Sequence, residues 1–591
     1  MRRVALLLGL SLFGCEEPPA PPPPTPAPVP APPPPAPPAP PERPGPTCSY
    51  HGWCWERPLP QGNDLYGVHV VDGEVVAVGE RGTIVRRRGG AWAFEDAPTR
   101  ERLRDVWGPS ADALFAVGEA GTVLRYADGA WTADEGGGDA DLWSVDGGPD
   151  GVVYAVGAAG AVRRWDGEAW TTEAVSTPLT LVDVDVTEHA VHALAVDLVG
   201  ARAVLYRRGE SEWVEVQAFD GDLEALLATD AGDVIVAGAN ARHRAADGTP
   251  STEVLHLTRP VRALWGDGAT AFAAGYDGAL ARWDGARWTR QESPFDHDLH
   301  ALSGSGPDDV WAVGAHGVTL HWDGATWTRD GDGATAHLNA VWGLGPDDVW
   351  AVGDHAFLYF DGRSWIPQGP TGHDLRAIFG VGGVLLAAGD DGALLRYVGG
   401  AWVDEHRGSG QELNGLWGAD VDHVFAVGKD VWLEREAGAW TEHADRPDAA
   451  GAWGSGPDDV WAAGRDGLHH WDGATWTSVP ETASWVLFAV WGSAADDVWA
   501  VGAGGRVLHY DGAAWTTREA PTRQNLLALW GAGRDDVWAV GQHGTILHFD
   551  GERWRWRDSG TDELLHGVWG TGAGAVVVVG HGGTVLRFEG P

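Results

Sequence analysis

A tryptophan-rich phrase returns along almost the whole chain and limits what the chain can fold into. It reads GSGPDDVWAVGAHGVTLHWDGATWT at 304–328, GLGPDDVWAVGDHAFLYFDGRSW at 343–365 and GAGRDDVWAVGQHGTILHFDGERW at 531–554. The anchor VWG, or a relic of it, falls at Tyr66, Trp107, Trp143, Val182, Glu224, Trp265, Ser303, Trp342, Phe379, Trp417, Trp453, Trp491, Trp530 and Trp569. That gives about fourteen units spaced roughly 38 residues apart, the period of a repeat architecture. Each unit holds four short runs of β-branched, aromatic and small residues separated by turn residues. Around Trp491 the runs are FAVWG, VWAVG, VLHY and AAWTTR, and Asp511-Gly512 lies between the third and fourth. Asp-Gly between apolar runs signals a tight hairpin, because both central residues of such a turn need positive φ. Four antiparallel strands in about 40 residues make one propeller blade, with a β-solenoid or sandwich array as the alternative.

The expected fold is therefore all-β, a β-propeller of about fourteen four-stranded blades. One ring ordinarily holds about four to eight blades, so two seven-bladed rings are expected, over 63–324 and 325–591. No linker marks that division, which falls near Gly324 inside HWDGATW. The segment 47–62 contains Trp53–Arg57, which reads as a fourth strand, whereas the final run TVLRFEG (584–590) reads as a third. An N-terminal strand completing a blade built from later residues closes a ring and removes an open edge. Most of the 35 tryptophans fall in register on the first strand (Trp107, Trp265, Trp342), the second (Trp311, Trp350, Trp461, Trp499, Trp538) and the last (Trp131, Trp288, Trp327, Trp515). Flat side chains at equivalent sites pack between blades, so these are core residues.

The formal net charge is −43, and Lys429 is the only lysine among 41 basic residues. Such a surface repels nucleic acid, which excludes that class of partner. The turns after strands one and three share one end of a blade. They carry Asp308-Asp309, Asp347-Asp348, Asp458-Asp459, Asp496-Asp497 and Asp535-Asp536, together with the Asp-Gly pairs at Asp166, Asp284, Asp323, Asp361, Asp472, Asp511 and Asp550. Asp suits such turns by bonding its own backbone. No cofactor is expected; calcium at these acidic turns is the alternative, but it needs six or more convergent oxygens, and DGDG at 330–333 is only a fragment of a calcium loop. The opposite end is more variable and is the expected binding face, with His316, His355, His543, His581 and Arg465 at its turns. The fourth and fifth units have lost most repeat residues and carry Arg202, Arg207, Arg208, Arg242 and Arg244.

The N-terminus is of another kind. Met1-Arg2-Arg3 precedes a short apolar run ending in Leu12-Phe13-Gly14-Cys15, too short to span a bilayer. It resembles a bacterial lipobox: residues 1–14 would be the signal peptide and Cys15 the lipidated first residue, and Glu16 points to the outer membrane. Residues 15–46 then form a Pro/Ala-rich stalk, stiff and extended by polyproline geometry. Of the remaining cysteines, Cys48 and Cys54 are expected to pair as a disulfide closing CSYHGWC.

None of HExxH, GxSxG or a P-loop occurs, so no catalytic residues are assigned. As a whole, residues 48–590 resemble the bacterial surface lipoproteins and exported proteins built of GPDDVWAVGxxGxxxHWDGxxW repeats behind a WCWENPLPQGN-like segment, which stands here as WCWERPLPQGN at 53–63. The resemblance implies a β-propeller and carries no site residues. The expected role is a lipid-anchored, outer-membrane binding or scaffold module, without chemistry, for an envelope or extracellular protein or glycan. The alternatives are a sialidase-like carbohydrate-active enzyme, which would need paired carboxylates of raised pKa in a central funnel, and an outer-membrane assembly factor.

Overall fold

The computed structural model describes residues 52–588 except 58–60, 135–137, 198–201, 222, 254, 256, 258, 331–335, 369–371, 408–409, 444–445 and 573. Cys15, Cys48, the signal sequence and the stalk lie outside the described residues. The described chain forms fourteen four-stranded antiparallel sheets, thirteen of them ordered from inner to outer strand as the chain runs, with no α-helix among the described residues. No helix there is long and apolar enough to cross a membrane.

The order in which first strands adjoin one another divides the blades into two closed rings of seven. Blades 1–7 run from Leu65 to Arg329, and the first strand of blade 7 (Leu299–Gly306) returns to that of blade 1 (Leu65–Val71). Blades 8–14 begin at Leu338, and the first strand of blade 14 (Leu565–Gly572) lies beside that of blade 8 (Leu338–Gly345). The passage between rings follows Arg329 and not Gly324: Trp322 pairs with Trp327 across the Asp323-Gly324 turn, inside blade 7. A hairpin so short holds both of its strands in one sheet.

The rings close differently. Blade 14 takes its outermost strand from the N-terminus, Trp53–Arg57, which pairs with Val585–Phe588. Trp53 is fully buried there, edge-on to Trp538 at 5.6 Å. The first ring has no such strand. Its seam is held by side chains: Asp330, just past blade 7, accepts from Arg87 Nε at 2.6 Å and from Trp92 Nε1 at 2.8 Å on blade 1.

Two repeated devices explain the sequence phrase. In VWG, the Trp of one blade lies over the Gly of the next. A Cβ on Gly492 would stand 2.6 Å from Trp453 Cη2, and one on Gly343 2.3 Å from Trp569 Cη2. In DDVWAVG…H, the second Asp gathers donors from its own sheet. Asp309, Asp459, Asp497 and Asp536 each pair with the Nε2 of His321, His470, His509 and His548 at 2.6–2.8 Å, and each of those imidazoles stacks on the second-strand Trp. The Asp of each Asp-Gly turn accepts the two following N–H groups, as Asp323 does from Ala325 and Thr326. These backbone donors hold its carboxyl below the usual range. The acidic turns are thus engaged in their own hydrogen bonds.

Candidate functional site

The first ring has a polar central channel, built from one bulge per blade. In every blade of this ring the first strand has a buried Leu or Val as its first residue, or in blade 4 its second (Leu181), and then slips register by one residue. A bulge re-aims its extra side chain. The seven residues so displaced are Tyr66, Arg104, Trp143, Val182, Glu224, Arg262 and His300, and together with Val196 and Asp197 they line a cavity of about 250 Å³ at one mouth of the channel. Tyr66, Trp143, Val182 and Glu224 were expected at the VWG anchor. The bulge places them three residues earlier, and the anchor position is held by His69, Asp146, Asp185 and Leu227, as the pairings with the second strands show.

The mouth is bound by a chain of charges and rings. Arg104 pairs with Glu119 at 2.7 Å and lies 4.0 Å over Trp143. Arg102 pairs with Glu80 and Glu119 and covers Tyr66. Across the opening Arg262 pairs with Glu224 at 3.3 Å, and Tyr276 Oη donates to Glu224 at 3.2 Å. Arg262 also donates to His300 Nδ1 at 2.8 Å. With Nδ1 accepting, the proton of the neutral ring sits on Nε2, which is buried without a hydrogen-bond partner among the described residues. Burial and then the charge of Arg262 depress the His300 pKa to about 3, so it stays a neutral donor. The Nε of Arg102 and of Arg104 are likewise buried and unmatched. Buried donors seldom go unsatisfied, and here three of them cluster around one opening.

Below the mouth a second cavity of about 390 Å³ fills the channel and reaches all seven blades. Four carboxyls face it, and each accepts the main-chain N–H of the next blade. Asp105 takes Val145 at 2.9 Å, Asp183 takes Leu226 at 2.8 Å, Asp146 takes Val186 at 2.6 Å and Asp185 takes Ala228 at 2.8 Å. Ser144 Oγ lies between Asp105 and Asp183, at 3.1 and 3.2 Å, and its single hydroxyl proton serves one or the other. Burial dominates their titration, raising Asp105 to about 6 and Asp185 to about 7 and placing Asp146 and Asp183 well above the usual carboxylate range. In the second ring the corresponding position is an aromatic in every blade: Trp342, Phe379, Trp417, Trp453, Trp491, Trp530 and Trp569.

The residues expected on the binding face separate. His355, His543 and Arg465 are exposed on turns of the second ring, His355 beside Asp374 at 3.4 Å. His316 and His581 are half-buried where the rings meet. That junction also holds Arg81, paired with Asp558 and Asp562 at 2.7 Å each, and Asn63, donating to the Gly560 carbonyl at 2.8 Å. Cys54 is buried on the closing strand. The arginines of blades four and five are dispersed: Arg208 pairs with Glu173, and Arg242 donates to the Asp220 carbonyl.

No protein-family model and no curated protein sequence matches the chain. Among solved structures it is similar to a GH74 xyloglucanase from Xanthomonas campestris, at 13% identity and a TM-score of 0.59, covering 91% of this chain and 99% of that one. It is also similar to an extracellular domain ascribed to a one-component system of B. thetaiotaomicron, at 11% identity and a TM-score of 0.37, covering 91% of this chain and 83% of that one. The likeness to the xyloglucanase is one of fold, and the described residues form a β-propeller protein of fourteen blades.

Proposed function

We propose that the protein is an envelope-exposed, non-catalytic binding module that receives a protein or glycan partner at the bulge-lined mouth of its first ring. The observation that carries this reading is the contrast between the rings. At the channel position where every blade of the second ring has Trp or Phe, the first has His69, Asp146 and Asp185 among others, and above it lies a mouth lined by Tyr66, Arg104, Trp143, Glu224, Arg262 and His300. Trp143 offers a flat apolar face, and the guanidiniums and His300 offer directed donors. That combination suits the ring face and hydroxyls of a sugar or the tip of a polar loop. The channel carboxyls serve as inter-blade acceptors, which supports binding over chemistry. In this reading Cys15 carries lipid at the outer membrane, the Pro/Ala segment is the stalk, and Cys48 pairs with Cys54.

The test is affinity capture on immobilised residues 42–591, a compact unit, from solubilised envelope and from envelope polysaccharide. Saturable retention that Arg104→Ala and Trp143→Ala abolish and His543→Ala leaves intact is the expected result. Retention unchanged in the mouth variants would refute the site. Four high-pKa carboxyls in one channel favour glycoside hydrolysis as the second reading. Turnover of a glycoside panel, lost in Asp146→Asn or Asp185→Asn, would establish that reading and displace the first.

A further inference from the structure

Where the rings meet, three side chains from three distant parts of the chain converge. Asp64 immediately precedes blade 1, His316 sits on the turn between the second and third strands of blade 7, and Glu563 leads into blade 14. His316 Nδ1 is 2.8 Å from Glu563 Oε1, and the His316 N–H donates to Asp64 Oδ1 at 2.8 Å. One ligand atom from each of the three lies within 4.8 Å of the others. The donor set is one imidazole nitrogen and two carboxylates, and a third carboxylate, Glu80, shares hydrogen bonding to Tyr66 with Asp64. Arg102 pairs with Glu80 at 3.3 Å, so Asp64 and Glu563 are the two carboxylates that face the His316 imidazole. All three residues are half-buried.

We infer that Asp64, His316 and Glu563 form a binding site for a divalent transition-metal ion of the Zn²⁺ type, placed so that the ion staples the two rings together. Three nitrogen and oxygen ligands with a fourth position left for water is a common zinc arrangement. Ligand atoms about 2.1 Å from a tetrahedral ion stand about 3.4 Å apart, so occupation asks the cluster to contract by at most about 1.4 Å. The mixed nitrogen and carboxylate donors favour a borderline ion over Ca²⁺ or Mg²⁺, which take oxygen almost exclusively. The placement gives the ion a definite task. Asp64 and His316 flank the seam of the first ring, the closure that lacks a shared strand, and Glu563 belongs to the second ring. One ion would hold the seam and the junction together. His297 and His337 surround His316, with ring centroids at 5.2 and 6.1 Å, and restrict its rotation.

The test titrates the metal-free protein with Co²⁺, followed by visible d–d absorption, and with Zn²⁺ by calorimetry. One equivalent of Co²⁺ with a tetrahedral spectrum, displaced by Zn²⁺, is expected in the wild type. Affinity should fall at least tenfold in Glu563→Gln and Asp64→Asn and stay unchanged in His355→Ala and His543→Ala, which remove exposed histidines elsewhere. Because His316→Ala also removes a junction contact, the two isosteric variants carry the decision, each first checked for a wild-type metal-free melting curve. Zn²⁺ should raise the melting temperature of the wild type and not of Glu563→Gln. Absence of binding, or binding and stabilisation equal in wild type and Glu563→Gln, would overturn the inference.

Discussion

Replacing Gly343 by Ala tests the inter-blade device at the point where the second ring closes on itself. The added methyl would stand 2.3 Å from Trp569 Cη2 and 2.6 Å from its Cζ2 and Cζ3. Carbon–carbon contact is normally about 3.5–4.0 Å, so blade 14 and blade 8 must part by more than about 1 Å. Trp569 has little room to retreat: it is 6% exposed and packed among Val341, Val577 and Val579. Overpacking of this kind costs about 1–3 kcal/mol. At about 2–4 °C per kcal/mol for a domain of this size, the melting transition of the second ring should fall by about 2–12 °C in scanning calorimetry. Gly345 is the internal control. It lies on the same strand, its φ is not in the left-handed region, and a Cβ there meets nothing within 4 Å. Gly345→Ala should move the transition by less than about 0.5 kcal/mol. Trp569→Phe shortens the ring, and in the double variant it should recover part of the Gly343→Ala loss, giving a coupling of about 0.5–3 kcal/mol. Equal effects at Gly343 and Gly345, or strict additivity with Trp569→Phe, would refute the account of why Gly follows Trp in the repeat.

Asp497 is fully buried and receives both His509 and Ser493. Asp497→Ala should therefore cost about 1–3 kcal/mol by stranding those donors, whereas the neighbouring, largely exposed Asp496→Ala should cost under about 0.5 kcal/mol; denaturant titration separates them. Asp330→Ala removes the partner of Arg87 and Trp92, so hydrogen exchange should quicken in blades 1 and 7 and stay unchanged in blades 8–14. The channel carboxyls give a pH signature. With folded values raised by burial to about 6 for Asp105 and about 7 for Asp185, above about 3.9 in the unfolded chain, the folded state holds protons that the unfolded state has lost. That stabilisation is complete below about pH 4 and is lost as pH rises through 6 to 7. Asp185→Asn keeps the neutral form, so its melting temperature relative to wild type should rise between pH 5 and pH 8; a constant or falling difference would show that Asp185 is ionised in the fold.

Blade number and the closing strand were legible because local chemistry fixes them: Asp-Gly hairpins at Asp323, Asp511 and Asp550, and Trp53–Arg57 reading as an orphan fourth strand. Register in the first ring was misread because Trp served as the anchor. The steadier mark is the buried Leu or Val just before the bulge of each first strand, such as Leu65, Leu142 or Leu181, each wholly buried. Counting from it places Asp146 and Asp185 at the bridging position. A coupling in the sequence supports this. Where Trp107 or Trp265 bridges, the next blade supplies Gly147 or Gly304; where Asp146 or Asp185 bridges, it supplies Val186 or Ala228, whose N–H the carboxylate binds. The Asp–His–Trp clusters were missed, although His321, His470, His509 and His548 each precede the aromatic-Asp-Gly turn of their unit. The ring boundary was not legible, because the connection after Arg329 resembles any other between blades. The cluster at the junction was not either: His316 lies 252 positions from Asp64 and 247 from Glu563, and only closure of both rings brings them together.

The pairing of Trp53–Arg57 with Val585–Phe588 has a consequence for the order of assembly as the chain emerges, N-terminus first, where it folds. The first strand to emerge is among the last to find its place. Blades 1–7 can close once Arg329 and Asp330 have emerged, while Trp53 and Trp55 wait with their indoles uncovered through the emergence of seven more blades. A chain that stops short of Phe588 would present a finished first ring beside a gapped second one with an unpaired aromatic strand. Union of the two ends thus acts as a check on length, and such a fragment would display the sticky edge that quality-control proteases and chaperones recognise.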